Sequence, residues 1–542
     1  MADLENAPTD ADLPEEEVVA APTDAPSEVP TASEPTAEDD RAPRRVGSGK
    51  GRAITLVSLR VVRGLVGAAA AVVVIGAVGL VPLPTIGIEP LAVTVEPEPA
   101  DLLQLCAGSL LRLGDDTGAN AGQATAVGTP TLTVGADGGA ATTVPLPQSD
   151  AGTGGTTQAP AVLGLEASPD AALGGAQSQT SSGAGGLAGL AATGCAEPTS
   201  STWLVGGAAT VGRTTLLLIA NPTAVAAEVA IHMWGESGAI TAPGMAGIDV
   251  GPGEQRVLPL AGFAPGIAAP IVHVEARGGQ VVAALQTSVI RVLDPGGLDM
   301  IGAVAPPATE SVVPAVRIFD ELGVSSALGL ADHEDLEAIA RVGNPGDADA
   351  TVEVSVLPTV ADGAATSFEI SVPAGTVTDV QLSSALELGA APFSDGTYSV
   401  EFHSDAPVVT AVRASTTPAP AAGVDGVPQP GPVDLAWFAS AVPLHDDVVI
   451  AVADAPAPVL VAVNPENAER VLLLEPIGGG EPITLVLPPA RAASVALERD
   501  TAYRVTDAEG VRIGVTFAAT GRLAGYTVRS PREADGAIVV RP

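Results

Sequence analysis

Three times in this chain an apolar run stops at Asn-Pro: at Asn221-Pro222, Asn344-Pro345 and Asn464-Pro465. The pairs are spaced 123 and 120 residues apart. Each is followed by a stretch in which apolar and polar residues alternate, the signature of a half-buried strand: AEVAIHM from Ala227, TVEVSV from Thr351 and RVLLL from Arg470. Each then meets a Pro/Gly turn, beginning at Val250, Val372 and Leu487, and goes on to further strands. Asn in a turn bonds its own backbone, and Pro fixes φ and ends the hydrogen-bond ladder. The recurrent pair therefore reads as a structural turn between strands rather than a ligand site. Trp203 and Trp437 precede the first and third pairs in similar places. The expectation is a mainly β protein with three tandem immunoglobulin-like β-sandwiches over residues 201–300, 301–425 and 426–542. The alternative is a β-propeller of shorter blades.

Composition agrees with short strands around an aliphatic core. Hydrophobic residues make up 46% of the chain but aromatics only 2%, and 62 Gly and 48 Pro punctuate it. The formal net charge of −39 excludes nucleic acid as a partner, because phosphate binding needs a basic footprint.

Residues 64–83, GLVGAAAAVVVIGAVGLVPL, carry no charge. At about 1.5 Å per residue they span roughly 30 Å, the thickness of a hydrocarbon core. Arg41, Arg44, Arg45, Lys50, Arg52, Arg60 and Arg63 precede the run, and the next basic residue after it is Arg112. The asymmetry predicts a transmembrane helix over 61–83 with the N-terminus in the cytoplasm and the C-terminal body outside the cell membrane. The exit, Val81-Pro82-Leu83-Pro84, offers no small-x-small cleavage site, which argues against a signal peptide. Residues 1–60 read as a disordered tail with a basic juxtamembrane end, its first forty residues holding thirteen acids and no base.

Residues 84–200 read as a Pro/Glu-rich stalk, a first strand ending at Cys106, and a flexible low-complexity insertion rich in Gly, Ala and Thr. Cys106 and Cys195 bracket that insertion and are the only cysteines. An even count in an oxidising compartment predicts a disulfide between them.

Catalytic signatures are scarce. His232, His273, His333, His403 and His445 show no zinc-protease spacing, and the cysteines lack metal-finger spacing. His333 and His445 each precede two acidic residues, a pattern that on a loop is more often an exposed turn than a cation site. No Gly-x-Ser-x-Gly elbow occurs. Neither cofactor nor metal is expected. Trp203 and Trp234 are candidates for glycan contact, although in so aromatic-poor a chain a tryptophan is more often a core plug.

The run from Cys106-Ala107-Gly108 through Cys195, Trp203-Leu204-Val205-Gly206-Gly207 and the apolar strand ending at Asn221-Pro222 resembles an uncharacterised family of actinobacterial envelope proteins, a domain of unknown function. The resemblance implies a membrane-anchored extracytoplasmic protein acting beside envelope glycosyltransferases, and it supplies no catalytic residues. The sequence thus points to a non-enzymatic binding or scaffolding ectodomain, held to the lipid membrane by one helix, whose partner is an envelope protein or a glycan. The alternatives are an accessory subunit for envelope glycan assembly or export, and a glycan-active enzyme using paired carboxylates.

Overall fold

The structure, a computed structural model, describes residues 93–95, 101–114, 123–150, 159–168, 171–330, 332–360, 365–385, 393–422, 428–429, 431–531 and 538–540. The expected cytoplasmic tail, the expected membrane helix over 61–83 and most of the stalk lie outside the described residues. Among the described residues no helix is long and apolar enough to cross a membrane.

The body is mainly β, and its strands fall into four sequential units. The first contains β1 (Leu102–Cys106), β2 (Leu110–Leu113), β3 (Ala124–Val127), β4 (Thr131–Asp137), β5 (Thr142–Pro145), β6 (Gln148–Ser149), β7 (Ala161–Leu165), β8 (Ala172–Ser182) and β9 (Ala188–Gly194). The second contains β10 (Ser201–Val205), β11 (Arg213–Asn221), β12 (Ala227–Gly235), β13 (Gly238–Ile240), β14 (Ile248–Val250), β15 (Glu254–Pro259), β16 (Ile271–Gly278), β17 (Val282–Arg291) and β18 (Asp294–Ile301). The third contains β19 (Ala308–Ile318), β20 (Ile339–Gly343), β21 (Ala350–Pro358), β22 (Thr366–Val372), β23 (Val377–Gln381), β24 (Gly396–Thr416) and β25 (Asp434–Ala439). The fourth contains β26 (Val448–Val452), β27 (Val459–Val463), β28 (Arg470–Pro476), β29 (Ile483–Leu487), β30 (Ala492–Ala496), β31 (Thr501–Thr506), β32 (Arg512–Ala519) and β33 (Arg522–Thr527).

One plan runs through all of them. In the fourth unit one sheet has the order β26-β31-β28-β29 and the other β30-β27-β32-β33, so the first, sixth, third and fourth strands face the fifth, second, seventh and eighth. The third unit repeats this as β19-β24-β21-β22 and β23-β20-β24-β25. There the long β24 serves as both sixth and seventh strand. The second unit repeats it as β10-β16-β12 and β18-β17-β11-β15, with β13 and β14 sharing the fourth place. Successive strands therefore cross between two sheets. A propeller blade is a single four-stranded sheet, so these units are sandwiches rather than blades.

The first unit follows the same order with β1-β7-β5 in one sheet and β4-β8-β9 in the other. Among the described residues its fourth and fifth strands have no counterpart. This changes the sequence expectation in two ways. The sandwiches number four instead of three, and the tract expected to be a flexible insertion is built into the first. Its small residues are small because neighbours press on them. A Cβ at Gly174 would lie 2.3 Å from the Val449 carbonyl oxygen, and one at Gly135 would lie 2.3 Å from the Ala502 Cβ. Its glutamines are buried because they bind main chain. Gln177 accepts from Gly108 N at 3.0 Å and donates to Gly108 O at 2.8 Å, and Gln179 accepts from Leu110 N at 3.0 Å. Trp437 also moves: it belongs to the last strand of the third sandwich, while Trp203 stands on the first strand of the second.

The four eighth strands close a ring, β9 against β18, β18 against β25, β25 against β33, and β33 against β9. At its centre is Asp434, fully buried. One carboxylate oxygen accepts from Leu190 N at 2.8 Å and Leu523 N at 3.0 Å, and the other from Leu298 N at 3.1 Å. With Leu435 N as a fourth donor, every sandwich contributes one main-chain amide to this carboxylate. The approach needs glycine at Gly189, where φ is +141° and a Cβ would come within 2.2 Å of Asp434 Oδ1. Burial pushes the Asp434 carboxyl up to about 8 against the pull of those amides. Nearby Asp299, also fully buried, accepts from Met300 N and Trp437 N, and burial raises it well above the usual carboxylate value.

Candidate functional site

Two places on this scaffold gather residues that chemistry can use. The first is the outward face of the β10-β16-β12 sheet. Along β12, Glu228, Ala230, His232 and Trp234 point away from the core while Val229, Ile231 and Met233 point into it. Cross-strand pairing puts Trp203 beside His273 and His273 beside His232. The Trp203 ring stacks on His273 with centroids 4.1 Å apart and planes at 7°, and on Trp234 at 5.4 Å and 21°. Both indoles are half-buried on this face of the sheet, part of each packed against the core of the second sandwich. Burial lowers the His273 pKa, with Glu275 acting against the shift and His232 adding to it. The ring is therefore neutral near pH 7, and Ser201 Oγ bonds its Nε2 at 2.9 Å. The result is a stacked aromatic ledge, His273–Trp203–Trp234, with Trp203 the ring common to both contacts and Glu275 and His232 at the edge.

The second place is the seam between the second and third sandwiches. The outer face of the β23-β20-β24-β25 sheet packs on the second sandwich so closely that a Cβ at Gly343 would lie 1.6 Å from Ile271 Cδ1. A cavity of about 280 Å³ opens there, lined by Arg213, Asp335, Arg341, Asp379, Arg413 and Trp437 among others. Arg341 is 1% exposed and lies 4.4 Å above the Trp437 ring. It binds both Asp379 oxygens, at 2.7 and 2.8 Å, and the carbonyls of Gly207, Ala268 and Pro270. Asp335 accepts from Arg213 and Arg291. Burial opposes the ionised form of Asp335, but the pull of Arg291, Arg413 and Arg213 outweighs it and holds its pKa below the usual carboxylate value. Arg413 forms no salt bridge among the described residues. Its Nη2 donates to the carbonyls of Asp335 and Glu337, its Nε is buried without an acceptor, and burial pulls its pKa down to about 10.

The other residues singled out by the sequence occupy structural positions. Cys106 and Cys195 form a disulfide that ties the first strand of the first sandwich to the residue after its last. Asn221, Asn344 and Asn464 are each 1% exposed or less. Each donates from Nδ2 to the carbonyl four residues on, at 2.7 Å, while its Oδ1 accepts from the amide two residues on, at 2.9–3.0 Å. In the first sandwich Asp137 stands at this turn. Pro222, Pro345 and Pro465 follow as the second turn residue. His333 is buried, whereas His403 and His445 are exposed on separate sandwiches. Among the described residues no group of three His, Cys, Asp or Glu is placed to hold a metal ion.

The sequence reading missed the seam arginines. Their signal was present: Arg341 and Arg413 interrupt apolar strands, AIARVG and TAVRAS, in a chain with only 24 basic residues.

Comparison with protein families finds a match to DUF5719, a family of unknown function, over residues 150–497. The chain belongs to this family. The DUF5719 match runs from the later strands of the first sandwich to the fifth strand of the fourth, and so takes in the aromatic ledge, the seam and Asp434. Comparison with curated proteins finds no match. Among solved structures, one titled "Biofilm associated protein - BSP domain" is 10% identical, covering 83% of this chain and 99% of its own. Its TM-score of 0.14 is too low to bear on the fold.

Proposed function

We propose that this DUF5719 protein is a binding module of the cell envelope, anchored through residues 61–83, whose sandwiches present a surface to a glycan and carry out no catalysis. The observation behind this reading is the ledge of Trp203, His273 and Trp234. Two of the three tryptophans in the chain lie stacked on the outward face of one sheet, each giving only part of its ring to the core. The uncovered ring face and edges of such a stack can take up sugar C–H groups, and Glu275, His232 and Ser201 beside it supply hydroxyl partners. We read the second, third and fourth sandwiches as immunoglobulin-like in their inner pairings, second strand with fifth and third with sixth, with the first and seventh strands exchanged between sheets. The actinobacterial origin and the envelope location rest on the sequence resemblance and on the charge asymmetry around residues 64–83.

The test is co-sedimentation of the full-length chain, purified in detergent, with isolated cell walls, with and without divalent cations. Pelleting that falls at least tenfold in a Trp203→Ala/Trp234→Ala variant supports the reading. A chain that stays soluble in both conditions, or a variant that pellets like the wild type, overturns it.

A further inference from the structure

Of the guanidinium groups at the seam, Arg413 alone has a charge that no carboxylate contacts directly. Arg341 donates all five of its N–H bonds, and Arg213 and Arg291 share Asp335. Arg413 has only main-chain carbonyls, a buried Nε with no acceptor, and the Trp437 ring 5.9 Å away. Asp335 and Asp379 act on Arg413 only at a distance, so a largely desolvated cation is kept against a cavity with no carboxylate in contact with it. Four arginines and two aspartates meet there, so the seam is a local cationic site in a chain of 63 acids and 24 bases.

We propose that the seam cavity binds a small oxyanion, a carboxylate or a phosphate monoester, between Arg413 and the more exposed Arg213. A guanidinium presents a planar fork of donors that matches two oxygens of either group. Asp335 and Asp379 are already engaged by Arg291, Arg213 and Arg341, so they position the arginines and leave Arg413 for the ligand. A volume of about 280 Å³ admits a single sugar acid or a smaller ion, and the acidic body around it repels an extended polyanion. The proposal is independent of the aromatic ledge, and either could fail alone.

The experiment is calorimetric titration of the full-length chain with inorganic phosphate, acetate and glucuronate, with sodium chloride as the counter-ion control. The expected result is saturable binding of at least one oxyanion, weakened tenfold or more by Arg413→Gln and by a smaller factor in Arg213→Gln, and unchanged in Trp203→Ala. Preference for glucuronate would assign a pendant sugar acid as the source, and preference for phosphate a phosphorylated or free ion; both sustain the site. Should Arg413→Gln fail to fold, Arg413→Lys, which keeps the charge and loses the fork, and Arg213→Gln carry the test. No saturable binding by the wild type up to about 10 mM, or equal binding by wild type and both arginine variants, overturns the proposal.

Discussion

Asp434 and Trp437 stand three residues apart on the same strand, and the charge clusters around them are built in opposite senses. Around Asp434 four main-chain amides, one from each sandwich, converge on two carboxylate oxygens. Around Trp437 the arginines outnumber the aspartates, and two of them, Arg291 and Arg413, keep a buried Nε without an acceptor, Arg413 alone having no carboxylate in contact as well. The hub is saturated and encloses no ligand space; the seam is unsaturated and opens on a cavity. A polar group buried with all its partners fixes geometry, whereas one buried without them stores free energy that a ligand can release. The hub therefore reads as the device that closes the ring, and the seam as the place kept ready for binding.

The largest expected effect is at the hub. Asp434→Ala removes the shared acceptor and leaves four buried N–H groups unmatched, at about 1–3 kcal/mol each. The loss should be of the order of 5 kcal/mol and cooperative across all four sandwiches, read as a single early transition in chemical denaturation. Separate melting of one sandwich with the rest unmoved would show that the hub does not couple them. Arg341→Met comes next. It strands Asp379 and three carbonyls, and should cost roughly 3 kcal/mol. A cost near zero would mean that the seam is not held open by this residue.

The two clusters should also answer pH in opposite directions. Asp434, raised to about 8, and Asp299, raised in the same direction, contribute stability that is fully present below the unfolded carboxylate value and lost as pH rises toward and through 8. Asp335 is lowered, so its contribution is present above the unfolded carboxylate value and lost as pH falls through its folded value. Denaturation midpoints followed from pH 3 to 9 should fall on the acid side as Asp335 is protonated, and on the alkaline side of the unfolded carboxylate value should decline steadily up to about 8. Asp434→Asn should flatten the alkaline limb and Asp335→Asn the acid one. An alkaline limb unchanged in Asp434→Asn would assign that limb to the net charge of −39 instead.

How much of this was written in the sequence differs from place to place. The Asn-Pro turns announced the second, third and fourth sandwiches because a buried Asn and a fixed φ leave an identical mark each time. The first sandwich carries Asp137-Gly138 at that turn and fills its interior with Gly, Ala and Gln. Composition reads such residues as a flexible tract, and only the pressing neighbours, Val449 and Ala502, explain them. The hub was half legible: Gly189-Leu190, Gly297-Leu298, Asp434-Leu435 and Arg522-Leu523 occupy equivalent places in the four units. Nothing in a linear reading says that four leucine amides converge on one aspartate. The tryptophans were singled out, but their stacking depends on the register of β10 against β16 and β12, which alternation alone does not set.

The smallest expected change in stability is at Arg413, and its sign separates the two clusters most sharply. Arg413→Gln gives up two bonds to main-chain carbonyls and a distant contact with Trp437. It also removes a buried charge that has no direct ion pair. These terms oppose each other, so the variant should fall within about 1 kcal/mol of the wild type, with any gain on the stable side. A structural arginine behaves otherwise, as Arg341 is expected to. If Arg413→Gln costs as much as Arg341→Met, Arg413 is one more brace of the seam and the contrast with the hub collapses. If it is neutral or stabilising while oxyanion binding is lost, the site retains an unpaired cation at the expense of stability, which is the mark of a residue held for a ligand.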